Sequence, residues 1–368
     1  MAAALPAVPA AARAPDRRCY PHDAYGYAAS TRVRLYEVSA PDDFDHRTLF
    51  VCDLVTGRRT KVDDALDTEE SFEPSDVRFA GRIVAFRLEH CLKAECDRDF
   101  VALDSRTGRR LPAGPRAQLL GWVLGPGGSL AWVEAGQPLR LESFDGASTV
   151  VQDEGTGIDS RSLAFSDAST LYWMHDGGAH RARVGVPSPP VAAVDPRGSA
   201  RCYPAGSRTL VASTTRVRVY RRSRGTTETV VACALRSGRR TGLVSGHSDD
   251  APGFDVLRVR GPFVAFAAHS CVKADCVHGG PQVVDARTGK QLHENALTRD
   301  QPVEALVLAE NGSIAWIAGE VTKTVARCDL RGCAAIATET GLVADLALSD
   351  ASFLYWSNGT EPRVADLR

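Results

Sequence analysis

Hydrophobic and polar positions alternate along most of this chain, in short stretches broken by turn residues. Segments such as Phe263-Val-Ala-Phe266 and Ser313-Ile-Ala-Trp-Ile317 are typical. A period of two places one set of side chains inward and the other outward, as a half-buried strand requires. The 32 Gly and 20 Pro are spread along the chain, about one every seven residues, which is the rhythm of short strands joined by turns. No window of a dozen residues keeps a helical period. In the second half, strand clusters begin near Thr209, Val256, Val303 and Val343. Each follows one grammar: an apolar strand, a turn, a second alternating strand, a third ending at a turn such as Arg287-Thr-Gly289, and a short fourth. Four strands in ~45 residues is the size of a propeller blade.

The same grammar occurs twice. Arg18-Cys-Tyr-Pro21 recurs as Arg201-Cys-Tyr-Pro204, and Ser30-Thr-Arg-Val-Arg-Leu-Tyr36 as Thr214-Thr-Arg-Val-Arg-Val-Tyr220. Cys91-Leu-Lys-Ala-Glu-Cys96 recurs as Cys271-Val-Lys-Ala-Asp-Cys276. Leu163 to Trp173 recurs as Leu346 to Trp356, differing only at Phe165/Leu348 and Thr170/Phe353. The sequence therefore predicts an all-β propeller of eight four-stranded blades in two tandem four-blade halves, or seven blades if one cluster is an insertion. The halves fall at 18–184 and 201–368, joined by 185–200. Residues 1–17 are either the remnant of a leader or the outer strand that closes the ring, with Leu5-Pro-Ala-Val8 pairing onto the last blade; proline is tolerated on such an edge.

The turns carry a second pattern. Ala102-Leu-Asp104-Ser-Arg-Thr107-Gly108 resembles the Ala-x-Asp-x-x-Thr-Gly-x-x-x-Trp repeat of quinoprotein-like propellers. Asp285-Ala-Arg-Thr288-Gly289 and Asp53-Leu-Val-Thr56-Gly57 are similar, while Ala234-Leu-Arg-Ser237-Gly238 lacks the Asp. In that family the Trp docks neighbouring blades. Here Pro112, His293 and Lys61 stand in its place, so the resemblance implies the blade and not a quinone cofactor. The Asp can accept bonds from turn amides, and the Gly supplies positive φ.

Composition narrows the function. Formal net charge is -1, with 44 Lys+Arg against 45 Asp+Glu, so there is no excess of cations for a nucleic-acid partner. No apolar run approaches the ~20 residues that span a bilayer. The ten cysteines are Cys19, Cys52, Cys91, Cys96, Cys202, Cys233, Cys271, Cys276, Cys328 and Cys333. Six form Cys-x4-Cys pairs, and Cys19, Cys52, Cys202 and Cys233 occupy matching places in the halves, their connectivity open. Repeat-symmetric pairs favour disulfides and an exported, extracellular or envelope protein. Zinc is the rival, with His90 or His278 completing a set, but those histidines do not match between halves.

The paired tryptophans, Trp132/Trp316 and Trp173/Trp356, read as core together with Trp122. Core residues should repeat, so polar features that break the repeat are the better functional candidates. These are His175, Asp176 and His180, which could hold a metal, and the acidic loop Asp63, Asp64, Asp67, Glu69, Glu70, which could hold calcium. No other cofactor is expected. Nucleophile-elbow, zinc-protease, phosphate-loop and dinucleotide motifs are absent. The expected function is a monomeric, non-enzymatic scaffold binding a protein or glycan on one face. The alternative is an enzyme with a site at the channel, a quinoprotein-like oxidoreductase or a hydrolase or lyase. A ring of convergent polar residues at the channel mouth would favour the enzyme, and an apolar plug the scaffold.

Overall fold

The structure is a computed structural model. It describes residues 17–367 apart from 22–23, 31, 41–42, 66–69, 94, 112–118, 145–149, 154–156, 168, 185–198, 205–206, 215, 248–252, 273–274, 295–296, 299, 330 and 350–352. The strand proposed to close the ring, residues 5–8, lies outside the described residues.

The fold is all-β: eight small antiparallel sheets of three to five strands, built as propeller blades. Sheets 1 to 4 begin with the strands Ala24–Ala29, Glu70–Ala80, Leu119–Leu124 and Ile158–Phe165. Sheets 5 to 8 begin with Ser207–Ser213, Gly253–Arg260, Val303–Leu308 and Val343–Leu348. Within each sheet the strands follow chain order, except that a short hairpin arm, Asp275–His278, extends sheet 6. Every one of these first strands shifts register against its neighbour, once in seven sheets and twice in sheet 5. Such a bulge bends the strand and re-aims one side chain.

Alternation along the strands supplies two apolar faces per sheet. In sheet 2, Val84 and Phe86 pack on Val33 and Leu35 of sheet 1, while Ile83 and Ala85 pack on Trp122 and Trp132 of sheet 3. Sheet 3 meets sheet 4 through Val133, Leu163 and Trp173. In the second half Val219 of sheet 5 packs on Phe266 of sheet 6, Phe263 on Trp316 of sheet 7, and Ile317 on Trp356 of sheet 8. All five tryptophans are buried, the repeat-matched pairs and Trp122 alike.

The halves join at their last sheets. Ala164 and Tyr172 of sheet 4 share a cluster with the repeat-equivalent Ala347 and Tyr355 of sheet 8, and the two tyrosine rings stack 5.4 Å apart. Equivalent residues meeting one another make this an isologous, pseudo-two-fold contact. The order of packing is therefore 1-2-3-4-8-7-6-5.

The outward faces of sheets 1 and 5 are each covered by a disulfide-tied segment. Cys19, at the end of the 3-10 turn Arg17–Cys19, bonds to Cys52, and Cys202 bonds to Cys233. Each cover packs on its own sheet, through Tyr36 and Leu54 in one half and Tyr220 and Leu235 in the other. Arg34 donates to the Cys19 carbonyl and lies over Tyr20 and Tyr36; Arg218 repeats this with Cys202, Tyr203 and Tyr220. Cys91–Cys96, Cys271–Cys276 and Cys328–Cys333 are cross-strand clips. Five disulfides point to an oxidising environment. Among the described residues no helix is long and apolar enough to cross a membrane.

Candidate functional site

The ends of the first strands converge on one open cavity of about 1050 Å³, to which all eight sheets contribute. Much of its wall is small or hydroxylic, as at Ala28, Ser30, Ser213 and Thr214. Its charges come from Arg34, Arg78, Arg216, Arg260, Asp167 and Glu310. Several are matched: Arg260 to Glu310 at 3.6 Å, and Arg78 to neighbouring Asp76 at 3.1 Å. Arg258 of sheet 6 reaches Asp167 of sheet 4 at 2.5 Å, linking the halves beside the cavity. Arg78 also lies over Trp122, 4.4 Å from the ring centre, a cation–π contact that fixes its guanidinium. A second recess of about 570 Å³ shares Arg78, Arg260 and Glu310 with the first. The lining is thus polar and largely paired, neither an apolar plug nor a cluster of histidines and carboxylates.

The Asp-x-x-Thr-Gly turns lie away from this cavity and do structural work. Asp53 accepts from the Val55 and Thr56 amides at 3.0 and 2.9 Å and from Arg32 at 3.2 Å. Gly57 turns the chain at φ 70°. Asp104 and Asp285 repeat the pattern. Burial raises the Asp285 carboxyl, but hydrogen bonds and charge from Arg287 outweigh it and hold the group below the usual carboxylate range. His293 is buried against the neighbouring blade beside Cys328 and Cys333. Burial lowers its basicity more than Asp329 restores it.

His175, Asp176 and His180 lie on one hairpin of sheet 4. His175 is held between Asp153, 2.8 Å from Nδ1, and Asp176, 3.5 Å from Nε2. The His180 ring stacks on Trp173 instead, 5.7 Å between centres. The acidic loop is divided among cations: Asp64 pairs with Lys61 at 2.9 Å and His46 at 3.7 Å, and Asp63 with His90 at 3.5 Å. Lys61 holds the Asp64 carboxyl below its usual range. Asp67 and Glu69 lie outside the described residues.

A different trio does converge. Asp255, His269 and His278 of sheet 6 bring one ligand atom each within 4.8 Å of one another. Sequence reasoning noted His278 only as a neighbour of Cys276 and did not single out Asp255 or His269. The available signal was the repeat, because none of the three matches its counterpart in the first half.

No known protein family and no curated protein matches the chain in sequence. Among solved structures, a prolyl endopeptidase is similar over 95% of this chain and 51% of its own, at 13% identity and TM-score 0.28. The chain thus spans about half the length of that enzyme. Hydrazine synthase from Kuenenia stuttgartiensis is similar over 76% of this chain and 92% of its own, at 14% identity and TM-score 0.27. The β-propeller domain of Cps50 (Swd1) from Myceliophteria thermophila is similar over 95% and 100%, at 12% identity and TM-score 0.27. Likenesses of this order assign no activity.

Proposed function

We propose that this protein is an exported, non-enzymatic propeller scaffold that receives a protein or glycan segment in the cavity where its eight sheets converge. The observation that carries the reading is the wall itself. All eight sheets supply it, it offers hydroxyls and paired charges, and Arg34, Arg78 and Arg260 are tied to carboxylates or aromatic faces. Paired charges give little field to drive proton transfer but offer many hydrogen-bonding edges to a polar chain. A wide mouth suits an extended ligand better than a small substrate, whose sites bury most of the ligand's surface. The disulfides support export.

The test compares wild-type protein with Ser213→Trp, which fills the cavity from its wall. Both are immobilised, exposed to the host's extracellular fraction and to a glycan array, and scored for specific retention. Retention of a defined partner by wild type and its loss in Ser213→Trp is expected. Equal retention by both, or none by either, overturns the assignment of this cavity as the binding site.

A further inference from the structure

We propose that Asp255, His269 and His278 form a binding site for a divalent transition metal of the zinc type. His269 Nδ1 lies 2.8 Å from Asp255 Oδ1, and His278 Nδ1 lies 2.9 Å from Oδ2. The two imidazole rings are 5.9 Å apart, inclined at 63°. Two imidazole nitrogens and a carboxylate oxygen form a ligand set that zinc takes at about 2.0–2.2 Å. Around a tetrahedral ion those donors stand about 3.3 Å apart. The present spacing is a hydrogen-bonded one, in which protons on the two rings face one carboxylate. Exchanging those protons for one ion requires each ring nitrogen to part from its carboxylate oxygen by about half an ångström.

The local structure holds the set in place. His269 and His278 are direct cross-strand partners in the hairpin of sheet 6, and Cys271–Cys276 clips that hairpin two rungs further on. Asp255 sits at the register shift of the first strand, between Phe254 and Val256. Its Oδ2 also accepts the Val303 amide at 3.2 Å, which fixes the carboxylate. The Asp255 side chain is 9% exposed, while those of His269 and His278 are 28% and 22% exposed. A fourth position is therefore open to solvent.

Comparison of the halves separates this cluster from ordinary hairpin chemistry. The first half has the same clipped hairpin, in which Glu89 faces Arg98 on the rung two before Cys91–Cys96, joined by an ion pair at 3.3 Å. Glu73 pairs with Glu89 there as Gly253 pairs with His269, and Ser75 stands two residues on, as Asp255 does. So Glu73, Ser75, Glu89 and Arg98 correspond to Gly253, Asp255, His269 and His278. The exchange to glycine makes the room, because a Cβ at Gly253 would lie 2.2 Å from His269 Nε2. The cavity is bordered by Val259, Arg260, Gly261 and Pro262, at the far end of the strand that Gly253 begins. The metal site is thus separate from the proposed ligand cavity, and either can fail without the other.

The experiment is calorimetric titration of the full, untagged chain with Zn²⁺ after chelator treatment, with a thermal melt of each protein in chelator as the folding control. Wild type is expected to bind one equivalent and to melt higher with Zn²⁺ than with chelator. His278→Gln and His269→Gln keep a hydrogen-bond donor toward Asp255 but should bind at least about 100-fold more weakly. The double variant His175→Ala/His180→Ala should bind as wild type does. Absence of Zn²⁺ binding by folded wild type overturns the proposal. So does binding that both Gln variants retain, or that the His175/His180 variant loses.

Discussion

The disulfide covers on sheets 1 and 5 lead to a quantitative prediction. Replacing Cys19 and Cys52 by alanine opens a loop with a sequence separation of 33, whereas replacing Cys91 and Cys96 opens one of only 5. The chain-entropy relation gives roughly 3.7 kcal/mol for the first and roughly 2.1 kcal/mol for the second. Alanine is the right replacement because Cys19 and Cys52 are fully buried, where a serine hydroxyl would need a partner. Loss of the Cys19 bond also frees the segment whose carbonyl anchors Arg34, so Tyr36 loses part of its cover; that adds to the cost. Cys202–Cys233, with a separation of 31, is an internal replicate and should match the first cover. Urea unfolding followed by tryptophan fluorescence reads the result. The two cover variants should lose nearly the same stability, each clearly more than the hairpin variant. If Cys91→Ala/Cys96→Ala costs as much as either cover variant, the covers do not close the ends of the stack as argued.

Four further outcomes are expected. Asp53→Ala removes the acceptor of two turn amides and Arg32, and should cost about 2–4 kcal/mol in the same assay. Asp285 has a folded pKa below its unfolded value, so its stabilisation is complete above about pH 4 and is lost as pH falls through the folded pKa; Asp285→Asn should flatten that acid limb of the stability profile. Burial pushes the phenols of Tyr172 and Tyr355 up, so the join they form should hold below about pH 10 and weaken as pH rises beyond it. Residues 201–368 expressed alone should sediment as a dimer through the exposed sheet 8 face, and Tyr355→Ala should return that half to a monomer.

The blades could be read from the chain because strand alternation and turn chemistry are local, and because the duplication showed each unit twice. The structural role of the Asp-x-x-Thr-Gly turns followed for the same reason, since Asp53 bonds amides only two and three residues away. The cover disulfides could be placed by symmetry but paired only in three dimensions. The packing of sheet 4 on sheet 8 was not visible, because it depends on which apolar face each last sheet leaves uncovered. Nor was the Asp255 trio, which depends on a register shift in one strand and a hairpin rung in another. His175 and His180 looked equally suitable in sequence, yet the hairpin turns one ring between two carboxylates and stacks the other on Trp173.

The symmetric join between sheets 4 and 8 bears on how the halves could diverge. Two free copies of a half could make the same contact, but they would have to find each other and would share every substitution. Joined in one polypeptide, each half meets its fellow at an effective concentration near millimolar, set by the connecting stretch. A weakened contact is then tolerated, and a change on one side need not be mirrored on the other. That freedom is what allows one hairpin to keep Glu89 and Arg98 while its twin carries His269 and His278.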